Sequence, residues 1–257
     1  MNKEIDGVKD VIWTQEMVDK FWDLYSKLAE RDLVRMGTPA DYFMPRNDRL
    51  HVEIMERVKQ GASILDIGCG IGYSMAYLGK YGYKVHGIDG PENHRIRAKK
   101  ACEEASVLCE IKKGGWTEIP YPDNFFDCVY SVDVIEHIIP DVLDKGMLEI
   151  KKVLKPGGYH ILMTDNGEEM FHSMALCPEC HAWFHMHQHQ QSFNKEKLTS
   201  IFQRAGFSEI TVLPCYQVDL KKRWYVKPYL RLVEKIMERL YIFGGPNKII
   251  SIGRKSG

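Results

Sequence analysis

The sequence predicts an α/β fold, an open, mostly parallel seven-stranded sheet with helices on both faces. Three observations lead there. Short runs rich in β-branched and aromatic residues alternate with helical stretches at the spacing of βαβ units. A strand, a glycine-rich turn and a helix follow one another in ILDIGCGIGYS, residues 64–74. The 257 residues, 44% hydrophobic and 11% aromatic, supply enough apolar surface for one large core.

Taken in order, Thr14 caps a helix over 14–35 whose apolar face is Met17, Phe21, Leu24, Tyr25 and Leu28. A second helix starts at Asn47, with Leu50, Ile54 and Val58 as its stripe. ILDIG (64–68), KVHGID (84–89), VLCEI (107–111), FDCVYSV (126–132) and YHILMTD (159–165) read as five strands with helices between them. A helix from Asn194 to Ala205 stops at Gly206, FSEITVLP (207–214) is a sixth strand, a long helix covers 222–242, and NKIISIG (247–253) closes the sheet. The alternation breaks after 165, where a Cys/His insertion (166–193) is longer than an ordinary connection. The organisation expected is a helical lead over 1–60 and one domain over 61–257 that carries this insertion.

Lys plus Arg balance Asp plus Glu at 35 each, so no global basic surface points to nucleic acid. The N-terminus MNKEIDGVKD lacks the basic-then-apolar run of a signal peptide, and no apolar run is long enough to span a bilayer. A cytoplasmic protein is expected. Cys69, Cys102, Cys109, Cys128 and Cys215 are scattered without disulfide-like spacing and read as reduced thiols.

Gly68, Gly70 and Gly72 give Gly-x-Gly-x-Gly, which departs from the Gly-x-Gly-x-x-Gly of dinucleotide binders. Asp66 stands just before the turn, where it disfavours a pyrophosphate and suits an ammonium group. Asp89 ends the second strand, where a carboxylate can accept from both hydroxyls of a ribose. An adenosine ligand with an ammonium and no pyrophosphate meets these needs. With PYPDNFFDCVYSVDVIEHI (120–138) and LKPGG (154–158), the chain resembles the class I S-adenosylmethionine-dependent methyltransferases, most clearly over 45–165.

That resemblance implies a Rossmann-like methyltransferase sheet and S-adenosylmethionine as cofactor. It places Asp66, Gly68, Cys69, Gly70 and Tyr73 at the methionine and ribose end, Asp89 on the ribose diol, and Gly90 where close approach is needed. The acidic residue that the family often sets near adenine falls at Gly115 here, and the neighbouring Trp116 offers either an adenine wall or plain core packing. Asp133 and the pair Glu136-His137 follow strand four, at the edge where open sheets bind ligands. Asp133 is assigned to the cofactor side and His137 is the candidate general base, with simple loop hydrogen bonding as the alternative. Methyl transfer asks mainly for in-line alignment and exclusion of water. A hydroxyl acceptor also needs a base, whereas an amine needs only to arrive neutral.

The stretch CPECHAWFHMHQHQQSF (177–193) allows a haem attachment, a redox dithiol or a metal clamp. Haem attachment requires export, and a dithiol leaves the histidines unexplained. Cys177 and Cys180, with His185 and His189 four apart, suit tetrahedral Zn²⁺, with His181 and His187 as rival ligands. A subset of the same methyltransferases is similar in this region, including Phe184, Ser192 and Phe193. A structural zinc that shapes the insertion is therefore expected.

Seven basic residues between Lys221 and Arg239 interleave with apolar ones, the pattern of an amphipathic helix that contacts an anionic membrane or packs on the sheet with a solvated basic face. The function expected is methyl transfer to a hydroxyl or amine of a small molecule, such as a sugar or a glycan- or lipid-linked intermediate. The rival reading is a non-catalytic S-adenosylmethionine-binding module that docks a partner through the zinc loop.

Overall fold

The computed structural model describes residues 8–36, 48–215 and 247–257. In chain order the elements are β1 (Lys9–Asp10), α1 (Gln15–Met36), α2 (Asp48–Arg57), β2 (Ser63–Ile67), α3 (Tyr73–Lys80), β3 (Lys84–Asp89), α4 (Glu92–Glu104), β4 (Cys109–Lys113), β5 (Phe126–Val132), α5 (Leu143–Val153), β6 (Leu154–Asp165), β7 (Met174–Leu176), β8 (Ala182–His185), α6 (Lys195–Arg204), β9 (Ser208–Cys215) and β10 (Lys248–Arg254). The basic helix expected over 222–242 and the helix start at Asn47 lie outside the described residues. Among the described residues no helix is long and apolar enough to cross a membrane.

Seven strands form one sheet in the order β4-β3-β2-β5-β6-β10-β9. Pairing is parallel from β4 to β6, and β10 runs antiparallel to both of its neighbours. Strand order reverses between β2 and β5, which opens a crevice at their carboxyl ends, the usual ligand position in such sheets. Both faces are covered, so the strands are apolar on both sides. Leu50, Ile54, Met75, Leu78, Ala98 and Cys102 pack one face, and Met147, Ile150, Leu198, Ile201 and Phe202 the other.

Three details differ from the pattern reading, the first being that β6 begins at Leu154, ahead of the start expected at Tyr159. Strand β4 starts at Cys109, two residues later than expected, because the Val107 N–H closes α4 on the Cys102 carbonyl (2.8 Å) and Leu108 stays exposed. Thr14 does cap α1, accepting from the Met17 N–H at 3.3 Å, but Met17, Leu24, Tyr25 and Leu28 are exposed while Val18 and Ser26 are buried. The helix is turned by its aromatic contacts. Phe21 meets Trp13 edge-on, and the Trp22 indole N–H donates to Gln188 Oε1 at 2.7 Å.

The insertion folds as a hairpin of β7 and β8, and β1 pairs parallel to β8 to make a separate three-stranded sheet. The N-terminal lead is thereby tied to the insertion at its first strand.

Candidate cofactor and acceptor site

The turn after β2 is shaped by its glycines. Gly68, Gly70 and Gly72 all have positive φ, 68°, 51° and 79°, which L side chains rarely adopt. The Gly68 and Cys69 N–H groups both donate to the Ile88 carbonyl, and the Gly70 N–H donates to Asp89 Oδ2 at 2.8 Å. A Cβ on Gly72 would stand 2.5 Å from Ala98 Cα, so this glycine lets the start of α3 seat on α4. At Gly70 and Gly90 nothing lies within 4 Å of where a Cβ would stand, which leaves open space beside the turn.

Two buried carboxylates flank that space. Asp66 is 5% exposed and Asp89 7%. Burial pushes the Asp66 carboxyl well up; the Tyr130 hydroxyl opposes this and the Asp89 charge adds to it. Burial, then Asp89 and Asp66, also push the Cys69 thiol up, so it is a neutral wall. Asp89 Oδ1 faces His94 Nδ1 at 3.1 Å. A positive group placed against Asp66 and Asp89 would offset both their burial and their mutual repulsion. An ammonium-bearing cofactor therefore fits the residues present. Tyr73, at the first position of α3, is buried next to this turn.

On the β5 side, Asp133 has φ 51° and its N–H donates to the Met163 carbonyl. Its carboxylate and that of Asp165 each lie 2.8 Å from Lys248 Nζ, which rises from β10. Trp116 is buried, its indole N–H donates to the Leu143 carbonyl at 3.0 Å, and a Cβ on Gly146 would run into its ring. Of the two uses left open for Trp116, this placement favours core packing under α5 over an adenine wall. Trp116→Ala should lower the unfolding midpoint while leaving the S-adenosylmethionine dissociation constant within about twofold. A larger loss of affinity at an unchanged midpoint would restore the adenine role.

The expected Cys₂His₂ clamp is not formed. In the β7–β8 hairpin Met174 pairs with His185 and Leu176 with Trp183, and the Cys177 N–H donates to the Ala182 carbonyl. Cys177 and Cys180 therefore sit at the turn and His185 three residues along the strand, about 10 Å away at the rise of a β-strand. Cys180 is exposed, and backbone N–H groups of Cys180 and Glu179 hold the Cys177 thiol below its ordinary value. His181 sits in the turn at φ 60°. The groups of three or more possible ligand side chains among the described residues are Glu136, His137 and His189, and Glu168, His185 and His189; neither contains a cysteine.

The histidine end of the insertion docks on the turn after β5. Gln190 N–H donates to the Glu136 carbonyl (2.7 Å), Gln188 Nε2 to the His137 carbonyl (3.2 Å) and Gln191 Nε2 to the Ile138 carbonyl (3.1 Å). The Trp22 ring stands edge-on to His137 at 4.7 Å. Burial, then the charge on His189, pushes the His137 imidazole down to about 3. Burial, then Asp133, pushes the Glu136 carboxyl up to about 8. His94, Lys248, Glu168 and Gln188 carried no motif signal. Lys248, Glu168 and Gln188 are fixed by contacts between segments far apart in sequence, and His94 by Asp89 five residues before it.

A family described as a methyltransferase domain matches residues 40–212. The chain belongs to the methyltransferase-domain family. This methyltransferase-domain chain is 36% identical over 115 residues to a sterol 24-C-methyltransferase of Gibberella zeae, a match over 42% of the chain and 30% of that protein. It is 39% identical over 118 residues to phosphoethanolamine N-methyltransferase 1 of Zea mays, over 44% of the chain and 23% of that protein. The methyltransferase domain thus matches about a third or less of the length of these curated relatives. Among solved structures, Haemonchus contortus phosphoethanolamine N-methyltransferase 2 in complex with S-adenosylmethionine superposes with a TM-score of 0.64 at 21% identity, over 96% of this chain and 61% of that one. The [4+2]-cyclase SpnF gives 0.67 at 19% identity, over 96% and 97%. These two likenesses bear on the fold.

Proposed function

We propose that the chain is an S-adenosylmethionine-dependent methyltransferase acting on a hydroxyl or amine of a small molecule. The observation that carries this reading is the pair of buried carboxylates, Asp66 and Asp89, on either side of an open glycine turn at the sheet's switch point in a methyltransferase-family chain. When bound, the cofactor supplies an electrophilic methyl group on a sulfonium. The chain's own residues bind, orient and exclude water. Asp66 faces the ammonium, Asp89 the ribose diol, and Gly70 and Gly90 leave the backbone room to approach. Gly68, Cys69, Tyr73 and Asp133 wall the methionine end.

The acceptor side is the turn at Ile135–His137, roofed by Gln188, Gln190 and Gln191 of the insertion. His137 is the candidate base on this side, and its ring lies within a group that also holds Glu136 and His189. Relatives named for sterol and phosphoethanolamine acceptors favour a small molecule over nucleic acid or protein. A sugar or glycolipid acceptor gains no specific support from them.

The test is incubation of the protein with methyl-labelled S-adenosylmethionine and extract fractions of polar metabolites, lipids, RNA and protein. Label is expected in the polar or lipid fraction. Label in RNA or protein overturns the small-molecule acceptor, and saturable cofactor binding with no transfer to any fraction turns the reading to a binding module.

A further inference from the structure

Glu136 is a buried carboxylate, 1% exposed, and neither of its oxygens has a hydrogen-bond partner among the described residues. The neighbouring His137 Nδ1 is also buried and without one. One ligand atom each from Glu136, His137 and His189 lies within 4.8 Å of the others. Buried acceptors left unpaired are costly and call for an explanation. A cation held between these three groups would satisfy them together, and would take the place of the proton that burial otherwise favours on Glu136.

The tautomers agree. Glu168 Oε2 is paired with His189 Nδ1, which fixes the proton there and leaves the other ring nitrogen of His189 as a lone pair. This is the carboxylate–histidine arrangement that orients metal-bound imidazoles. His185 behaves differently. Its Nδ1 accepts from the His189 backbone N–H at 3.2 Å, so its proton sits on Nε2, 3.3 Å from Glu168 Oε1. His185 Nε2 lies beside Glu168 without a formed hydrogen bond, and with its protonated nitrogen turned to that carboxylate it is left out of the ligand set. Its ring stacks on His189 at 4.4 Å and helps to hold it.

We propose that Glu136, His137 and His189 bind a divalent transition-metal ion of the zinc class, with Glu168 and His185 as the outer carboxylate and imidazole that orient His189. Two nitrogens and one carboxylate oxygen suit such an ion, whereas calcium and magnesium prefer all-oxygen sets. Bonds of about 2.1 Å in tetrahedral geometry set ligand atoms about 3.4 Å apart, within the observed grouping. Three protein ligands leave a position for water or for an acceptor oxygen. The cysteine pair takes no part, and the site does not depend on methyl transfer being the reaction.

The experiment uses the full chain, stripped with a chelator and titrated with Zn²⁺ against a chromophoric competitor and with Co²⁺ by visible absorption. One equivalent is expected to bind, to raise the unfolding midpoint, and to give a cobalt spectrum without a thiolate band. Glu136→Gln and His189→Gln should each weaken Zn²⁺ binding at least about tenfold, and Glu168→Gln about tenfold. Cys177→Ser with Cys180→Ser should leave it unchanged. Glu136→Gln keeps the shape of the side chain, so its result stands even if His189→Gln fails to fold. No saturable binding by the parent, binding unmoved in Glu136→Gln, or loss in the double cysteine variant overturns the site. Methyl transfer measured on the same preparations reports separately on the functional reading.

Discussion

Lys248→Met is expected to lower the unfolding free energy by about 3 kcal/mol at neutral pH and to weaken S-adenosylmethionine binding. The ammonium is 6% exposed and stands 2.8 Å from both Asp133 Oδ1 and Asp165 Oδ1. Burial alone would lower its pKa, but the two carboxylates outweigh it and raise the value. A lysine raised in the folded state contributes stability that is fully present below the ordinary lysine pKa and is lost only as pH rises through the folded value. The contribution is therefore complete at pH 7. Removing one partner of a buried ion pair costs about 3–5 kcal/mol, and the low end applies because the two carboxylates are 41% and 32% exposed and regain water. Methionine keeps the apolar stem, so the loss reports the charge.

The consequence for binding follows from Asp133, which holds a left-handed backbone conformation through its N–H bond to Met163 and its ion pair to Lys248. Without the ammonium, two carboxylates are left facing each other after β5, on the side proposed for the cofactor. Urea unfolding at pH 7 and a cofactor titration measure both effects. Adding Asp165→Asn to Lys248→Met should recover part of the stability, since one of the two repelling charges is gone. A loss below about 1 kcal/mol, or no recovery, contradicts this account.

The sheet was legible because its signal is local. KVHGID and FDCVYSV are apolar β-rich runs between turns and became the strands their patterns describe, and ILDIG did so shifted by one residue, with Gly68 in the turn. Gly72 shows how a motif is read correctly in kind while its reason lies elsewhere. The spacing Gly-x-Gly-x-Gly told against a dinucleotide, yet only the fold reveals that Ala98 of α4 occupies the space a side chain would need. The insertion was less legible for a physical reason. Sequence proximity grouped Cys177 and Cys180 with His185 and His189, but a hairpin places residues by register, and register separates the turn from the strand end. The partners of His189 are Glu168 across the insertion and the Glu136-His137 turn at the end of β5. No periodicity encodes a contact of that range. The face of α1 failed for a similar reason, since a hydrogen bond from Trp22 to Gln188 sets its rotation as firmly as its apolar stripe does.

His160→Phe is expected to leave stability at pH 7 within about 1 kcal/mol and to raise it by about 3 kcal/mol at pH 4. His160 lies on β6 with no exposure, and neither ring nitrogen has a hydrogen-bond partner among the described residues. Its ring stacks on Phe202 at 5.2 Å and lies near Phe207 and Trp116, so its surroundings are aromatic. Burial pushes its pKa down to about 3. Below the ordinary histidine value of about 6.5 the unfolded chain takes up a proton that the folded chain refuses. Stability therefore falls as pH drops from about 6.5 towards 3, by about 1.4 kcal/mol for each pH unit across that window. Phenylalanine keeps the stacking and removes the proton site, so parent and variant should converge near neutrality and diverge in acid. Urea unfolding of both at pH 7, 5.5 and 4 gives the difference directly. A gap that stays constant across the three pH values would mean that the folded chain does not hold the His160 pKa below its ordinary value, and would assign the acid sensitivity of the fold to other groups.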